Sequence, residues 1–335
     1  MMQLLCGDIG GTKTLLQLVN IHTDQIDVLK EQRYPSSLYA QFDLILDDFL
    51  QGHNDRNAIA ATCFGVAGPV IHSNESQSAS ITNLPWQMDS SALANRFKLA
   101  NVALINDFEA VAYGISALQE NDLESLQTGV AHEYGNQVVV GAGTGLGVAQ
   151  MIWTGEDYKI IATEGGHADF APADEKQIRL SDYLIKHKGR SSIEFVLSGP
   201  GLVNVFTFIN EQNQQMDSKE YRRIMQCSDP AAAIASAAEA DKESAAFVAL
   251  KMFVQAYGGQ AGNFALSSLA LGGVYIAGGI APRILPHLRS GEFIDAFNAK
   301  GKMSQLMQRI PVAVITNPTV GLIGSRVYAQ KLTKL

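Results

Sequence analysis

Cysteine is scarce. The 335 residues contain three, Cys6, Cys63 and Cys227, odd in number and far apart. That spacing excludes a disulfide framework and the paired cysteines of common zinc sites. Cys6 and Cys63 sit in apolar runs and read as small core residues, which fits a reducing cytoplasm. An excess of basic charge is also lacking: 25 Lys and Arg stand against 33 Asp and Glu, a net charge of −8. Broad binding to nucleic acid needs a basic surface, so neither nucleic acid nor an anionic membrane is an expected partner. No run of 18 or more uncharged residues reads as a membrane span, because the most apolar region, Phe247–Ile280, is broken by Lys251 and several glycines. The N-terminus has no basic stretch before its short apolar segment and runs directly into a glycine turn, so no secretory signal is expected. A cytoplasmic location is the expectation.

What is present is an ordinary globular composition, 47% hydrophobic and 17% charged, at a length that suits about two domains. Gln3–Cys6 and Thr14–Asn20 read as strands around a glycine turn. Leu38, Phe42, Ile45, Leu46, Phe49 and Leu50 share one helical face after Ser36-Ser37. Ala58–Gly65 and Val102–Ile105 read as strands, and Phe108, Val111, Ala112, Ile115 and Leu118 line a following helix. The pattern then restarts: strand Gln137–Val140, a second glycine turn, strand Val148–Trp153. Ala231–Tyr257 reads as one long alanine-rich helix, Val274–Ala277 and Pro311–Ile315 as strands, and Val320–Leu335 as a C-terminal helix. Two α/β halves, each opened by strand, glycine turn, strand, suggest a ligand held between them.

The first turn, Asp8-Ile9-Gly10-Gly11-Thr12-Lys13-Thr14, can form an anion-binding nest of backbone N–H groups, with the Thr12 hydroxyl as a further donor. Asp8 puts a carboxylate where a hydrated Mg²⁺ on phosphates needs one. A tight hairpin would explain the same glycines. The second turn, Gly141–Gly147, is neither a dinucleotide fingerprint, since Leu146 or Val148 falls at the third glycine position, nor a Walker A loop. It leaves a glycine-rich tip with one hydroxyl, Thr144. Gly278-Gly279 ends a strand, either for close approach of an adenosine or as a simple turn into a helix.

Asn106-Asp107 closes one strand and opens a helix. An acid beyond the carboxyl end of a strand can take a proton from a substrate hydroxyl, and either residue could instead cap the helix. Glu164 and His167 stand three apart around two glycines, a loop able to bracket a polyol. No third ligand stands at metal-site spacing, so no protein-built metal site is expected. Glu194 precedes Ser198–Gly201, and Asn83-Leu84-Pro85-Trp86 offers an amide and an aromatic face, or a surface turn with Trp86 in the core.

The strings DIGGTKT at Asp8–Thr14, IND at Ile105–Asp107, GAGTGLGVA at Gly141–Ala149, EGGHADFAP at Glu164–Pro172, LSGPGLVN at Leu197–Asn204 and IAGGIAPR at Ile276–Arg283 run in order through nearly the whole chain. Together they resemble the bacterial glucokinases, within the sugar kinase and actin-like ATPase superfamily. The resemblance implies an α/β protein of two RNase H-like (actin-like ATPase) domains with a ligand cleft between them. Residues 1–110 completed by 318–335 would form the smaller domain, and 111–317 the larger. It implies transfer of the ATP γ-phosphoryl group to the 6-hydroxyl of glucose, with Mg²⁺, by Asp107 as base. Asn106, Glu164, His167, Glu194 and Asn83 would hold the sugar. Asp8, Gly10, Gly11, Thr12, Gly143 and Thr144 would face the phosphates, and Gly278 and Gly279 the adenosine. A homodimer is expected. Lys13 is a departure that resembles a related repressor-and-kinase family, but that family's cysteine-rich zinc motif has no counterpart, since no cysteine lies between Cys63 and Cys227. A kinase for mannose, fructose or an N-acetyl amino sugar, and a non-enzymatic sugar-sensing relative, are the alternatives. The sensors carry an N-terminal DNA-binding domain, for which the first strand at Gln3 leaves no room.

Overall fold

A computed structural model describes residues 2–22, 25–53, 55–74 and 76–333. The chain forms two compact units, one of Met1–Glu120 with Asn317–Leu335, the other of Asn121–Thr316.

The first unit begins with β1 (Met2–Ile9), β2 (Lys13–Ile21), β3 (Ile26–Pro35) and β4 (Ile59–Val66). A small antiparallel sheet follows, β5 (Val70–His72), β6 (Gln77–Ser80) and β7 (Gln87–Asp89), and then β8 (Val102–Asn106). The main sheet has five strands in the order β3-β2-β1-β4-β8, with β1, β4 and β8 parallel. Alternation along β1 sends successive side chains to opposite faces. Leu5 and Ile9 pack with Phe42, Ile45, Phe49 and Trp86, whereas Leu4 and Cys6 pack with Cys63, Ala110, Leu322 and Ala329. The second set includes the helices Asp107–Ile115 and Val320–Leu332. Ser325 fastens the latter to the sheet: its hydroxyl donates to Gly7 O at 2.9 Å and accepts from Gly65 N at 3.2 Å. The helix Asp107–Ile115, which a boundary at residue 110 would cut, lies whole in this unit because Ala110 is buried against the C-terminal helix.

The second unit holds β9 (Leu123–Gln127), β10 (Gln137–Ala142), β11 (Leu146–Trp153), β12 (Tyr158–Thr163), β13 (Gly273–Ala277) and β14 (Val312–Ile315). Their order is β12-β11-β10-β13-β14-β9. From β12 to β14 this repeats the first sheet: an antiparallel triplet, then two further strands parallel to its first member. The antiparallel β9 is added at one edge. The expected single helix over Ala231–Tyr257 is two, Pro230–Ala240 and Ala245–Ser268. The break falls at the polar run Asp241-Lys242-Glu243-Ser244, where Ser244 caps the second helix by accepting from Phe247 N at 3.1 Å. That second helix is buried nearly all round. The helix expected from Leu38 onward begins at Phe42, and Ser36–Leu38 forms a 3₁₀ turn that leaves Leu38 exposed. Residues 334 and 335 of the expected C-terminal helix lie outside the described residues. Among the described residues no helix is long and apolar enough to cross a membrane.

Candidate active site

In the first unit three parallel strands end level. Ile9 pairs with Val66, and Val66 with Asn106. Asp8 to Lys13, Gly65 to Gly68 and Asn106-Asp107 therefore stand together at the carboxyl end of the sheet, where open α/β sheets place their ligands. The turn after β1 closes with Gly10 N donating to Lys13 O at 2.9 Å. Its glycines are needed for room. A Cβ on Gly11 would lie 2.8 Å from Thr82 O and 3.6 Å from the Cβ of Asn83. Asn83 adopts a left-handed φ of 64° in the neighbouring turn and is exposed beside Gly11. Thr12 is exposed at the tip. The partner of this motif, Trp86, is core: it is 1% exposed and donates its ring N–H to Tyr39 O at 3.0 Å.

A Cβ on Gly321, the second residue of the helix Val320–Leu332, would lie 3.6 Å from the Asp8 carboxylate, so the glycine leaves space beside it. Burial holds this carboxyl above the usual aspartate range, with the Lys13 charge acting the other way. A partly compensated carboxylate at a strand end is what Mg²⁺ asks of a protein when substrate phosphates supply most of its oxygens. The residues present fit that ion in this mode. Among the described residues no cluster of three or more His, Cys, Asp or Glu side chains could hold a metal by itself.

Asp107 is the first residue of its helix, with Asn106 as N-cap. Asn106 Oδ1 accepts from Phe108 N at 2.9 Å and Glu109 N at 3.4 Å, and its Nδ2 donates to Gly68 O at 3.0 Å. The amide that the resemblance assigns to sugar is thus largely engaged in holding the strand-helix junction, and the Asp107 carboxylate itself accepts from Phe108 N at 2.9 Å. Glu109 in the same first turn is held above the usual glutamate range by burial.

In the second unit the turn Gly143–Gly145 ends β10, with Thr144 exposed. Gly141 pairs with Ala277, so Gly278-Gly279 stands at the neighbouring strand end. Gly278 has a φ of 83° and packs on Ala142 O, so its lack of a side chain is demanded by the fold. Gly143 and Gly279 differ: a Cβ on either would meet nothing within 4 Å, which leaves open space above the backbone. The helix Gly199–Gln212 starts at this turn, Gly199 N donating to Gly143 O at 2.8 Å.

Glu164, His167 and Glu194 come together. His167 Nε2 lies 3.9 Å from Glu164 Oε2, and His167 Nδ1 lies 4.0 Å from Glu194 Oε1. These separations exceed hydrogen-bond reach, so the imidazole stands between two carboxylates without being bound by either. Arg190 secures the loop, donating to His167 O at 2.9 Å and to Asp169 Oδ1 at 2.6 Å. Glu194 Oε2 accepts from Leu146 N at 2.9 Å.

One support has no signal in the sequence. Ser36, fully buried, donates to Gly10 O at 2.8 Å and shares a hydrogen bond with Thr14 at 3.0 Å. Nothing near Ser36 in the chain marks it. Ser198 was readable, since Ser followed by Gly-Pro is an N-cap signal, and it accepts from Gly201 N at 2.9 Å.

Two sheets of the same strand order, each opened by a glycine-tipped hairpin with its ligand-type residues at parallel strand ends, define an α/β protein of the RNase H-like, actin-like ATPase fold. Comparison with known proteins narrows this. A family model described as Glucokinase matches residues 5–332. The glucokinase of Trichormus variabilis is 39% identical across 98% of this chain and 99% of its own length. That of Nostoc punctiforme is 40% identical across the same shares. The crystal structure of a glucokinase from an Antarctic psychrotroph matches with a TM-score of 0.84 at 28% identity, over 99% of each chain. The chain belongs to the glucokinase family.

Proposed function

We propose that the protein is an ATP-dependent hexose kinase that phosphorylates the 6-hydroxyl of glucose, with Asp107 as general base. The carrying observation is the placement of Asp107 at a parallel strand end, beside the Asp8–Lys13 turn, on a junction immobilised by Asn106. Phosphoryl transfer needs positioning and charge neutralisation more than covalent help from the protein. Asp107 accepts the proton of the 6-hydroxyl as that oxygen bonds to the γ-phosphorus. The bond from the γ-phosphorus to the β–γ bridging oxygen breaks, and ADP leaves. Backbone N–H groups at Gly11, Thr12 and Thr144 bind phosphate oxygens, while Gly10 and Gly143, whose N–H groups close their own turns, give the phosphates room, and the open backbone at Gly279, supported by Gly278, takes the adenosine. Glu164, His167, Glu194 and Asn83 receive sugar hydroxyls, and Asn106 has one N–H left for the same task. Asp8, together with the nucleotide phosphates, would hold Mg²⁺, which would supply charge neutralisation.

ADP release from purified protein with Mg-ATP and a panel of hexoses tests this reading. Glucose should give the highest kcat/KM. A higher value for mannose, fructose or an N-acetyl amino sugar would reassign the substrate, and no hexose-dependent ADP release would end the kinase reading. A homodimer and a cytoplasmic location complete the proposal. The scarcity of cysteine supports the second, and light scattering tests the first.

A further inference from the structure

The sugar-side loop and the second glycine turn meet in one side chain. The backbone of Glu194 is fixed at both ends: its N–H donates to Gly166 O at 2.9 Å, and its carbonyl accepts from Ser198 Oγ at 2.8 Å. Its Oε2 accepts from the N–H of Leu146, the residue that follows the Gly143–Gly145 tip. A Cβ on Gly145 would lie 2.6 Å from that same Oε2, so the turn and the carboxylate occupy adjoining space with nothing between them. Among the described residues Oε1 makes no hydrogen bond, and it faces His167 Nδ1 at 4.0 Å.

A carboxylate is planar and rigid. Its two oxygens cannot move independently, so a ligand that draws on Oε1 also repositions Oε2 and with it the Leu146 N–H. We propose that Glu194 couples the two substrates. A hexose hydroxyl held at Oε1 fixes the carboxylate and orders the tip of the Gly143–Gly145 turn, which then binds nucleotide phosphates more tightly. Nucleotide bound at the turn holds the carboxylate in place for the hexose in return. Either ligand meets the ordering cost that the other would otherwise meet. Gly145 is a positioning residue in this scheme, because only a residue without a side chain lets the turn seat against Oε2. The inference rests on the hexose-binding and nucleotide-binding roles proposed above.

Calorimetric titration tests it with glucose alone, with the β,γ-imido analogue of Mg-ATP alone, and with each in the presence of the other. The native protein should show a mutual increase in affinity of about 5- to 150-fold, equal in the two directions as linkage requires. Gly145→Ala, whose added carbon displaces Oε2, should bring that factor to about twofold or less. Glu194→Ala removes atoms rather than adding them and should give a factor of one, read from the nucleotide side if glucose binds weakly. Native coupling in either variant, or a factor of one in the native protein, overturns the proposal. Failure of the underlying reading looks different: glucose would then bind Glu194→Ala with native affinity.

Discussion

The hairpin tip between β1 and β2 rests on hydroxyls, and the tip between β10 and β11 rests on a carboxylate. Beneath the first, Ser36 and Thr14 are both fully buried, and Ser36 N also donates to Thr12 O at 3.1 Å. The two hydroxyl groups of that clamp are neutral and buried. Beneath the second, Glu194 gives one oxygen to Leu146 N and leaves the other near an exposed imidazole. The same strand order and the same glycine chemistry are therefore supported in opposite ways. A buried neutral clamp can only hold its turn still. A partly exposed carboxylate can hold its turn and answer to a ligand, so the proposed coupling is confined to the second turn.

The largest expected effect comes from removing the acid proposed as the base. Asp107→Ala should lower kcat by about 10² to 10⁴ while glucose affinity measured by calorimetry stays within about threefold. Near-native turnover would remove Asp107 from its role. The clamps themselves come next. Glu194→Ala should weaken glucose and nucleotide together, each by about 10- to 100-fold, as expected for losing hydrogen bonds to a charged group. Ser36→Ala should weaken nucleotide alone and cost about 1–3 kcal/mol of stability, because the buried Thr14 Oγ1 loses its partner. Steady-state kinetics on both substrates, with thermal melting, separates the two patterns.

A third test contrasts glycines within the second unit. Gly278→Ala puts a side chain at positive φ against Ala142 O and should destabilise the fold by about 2 kcal/mol or more. Gly143→Ala should leave the melting temperature within about 1–2 °C of native, since nothing lies near its added carbon, yet raise the KM for ATP. Equal melting losses would mean that Gly143 serves the fold and not a ligand. The smallest effect belongs to Glu164→Ala. Its carboxylate is exposed and makes no hydrogen bond among the described residues, so only glucose KM should rise, by about two- to tenfold.

Burial patterns carried most of the fold in the sequence. Strands with alternating or continuous apolar character, such as β1, β4, β10 and β13, were legible because both faces are covered. β3 was not: its Ile26, Val28 and Leu29 are exposed on an edge strand otherwise rich in charge, so no alternation marks it. β9 and β12 lie at edges for the same reason. The break at Asp241–Ser244 was hidden by the high helix propensity of the alanines before it. In the site, motif residues were legible and their supports were not. Ser36 acts on Gly10 across 26 positions, and the engagement of Asn106 with Gly68 depends on a loop 38 residues away. Local spacing says nothing about either.

The C-terminal helix has a consequence for biosynthesis. Leu4, Cys6 and Ala61 find part of their cover in Leu322 and Ala329, and the Gly7 carbonyl is met by Ser325, so the sheet that begins the chain is finished only by its end. On a ribosome adding about 5–20 residues per second, the second unit is complete while the first still shows an apolar face. The half of the molecule that is translated first is therefore the last to close, and it is the half a nascent-chain chaperone has most reason to hold.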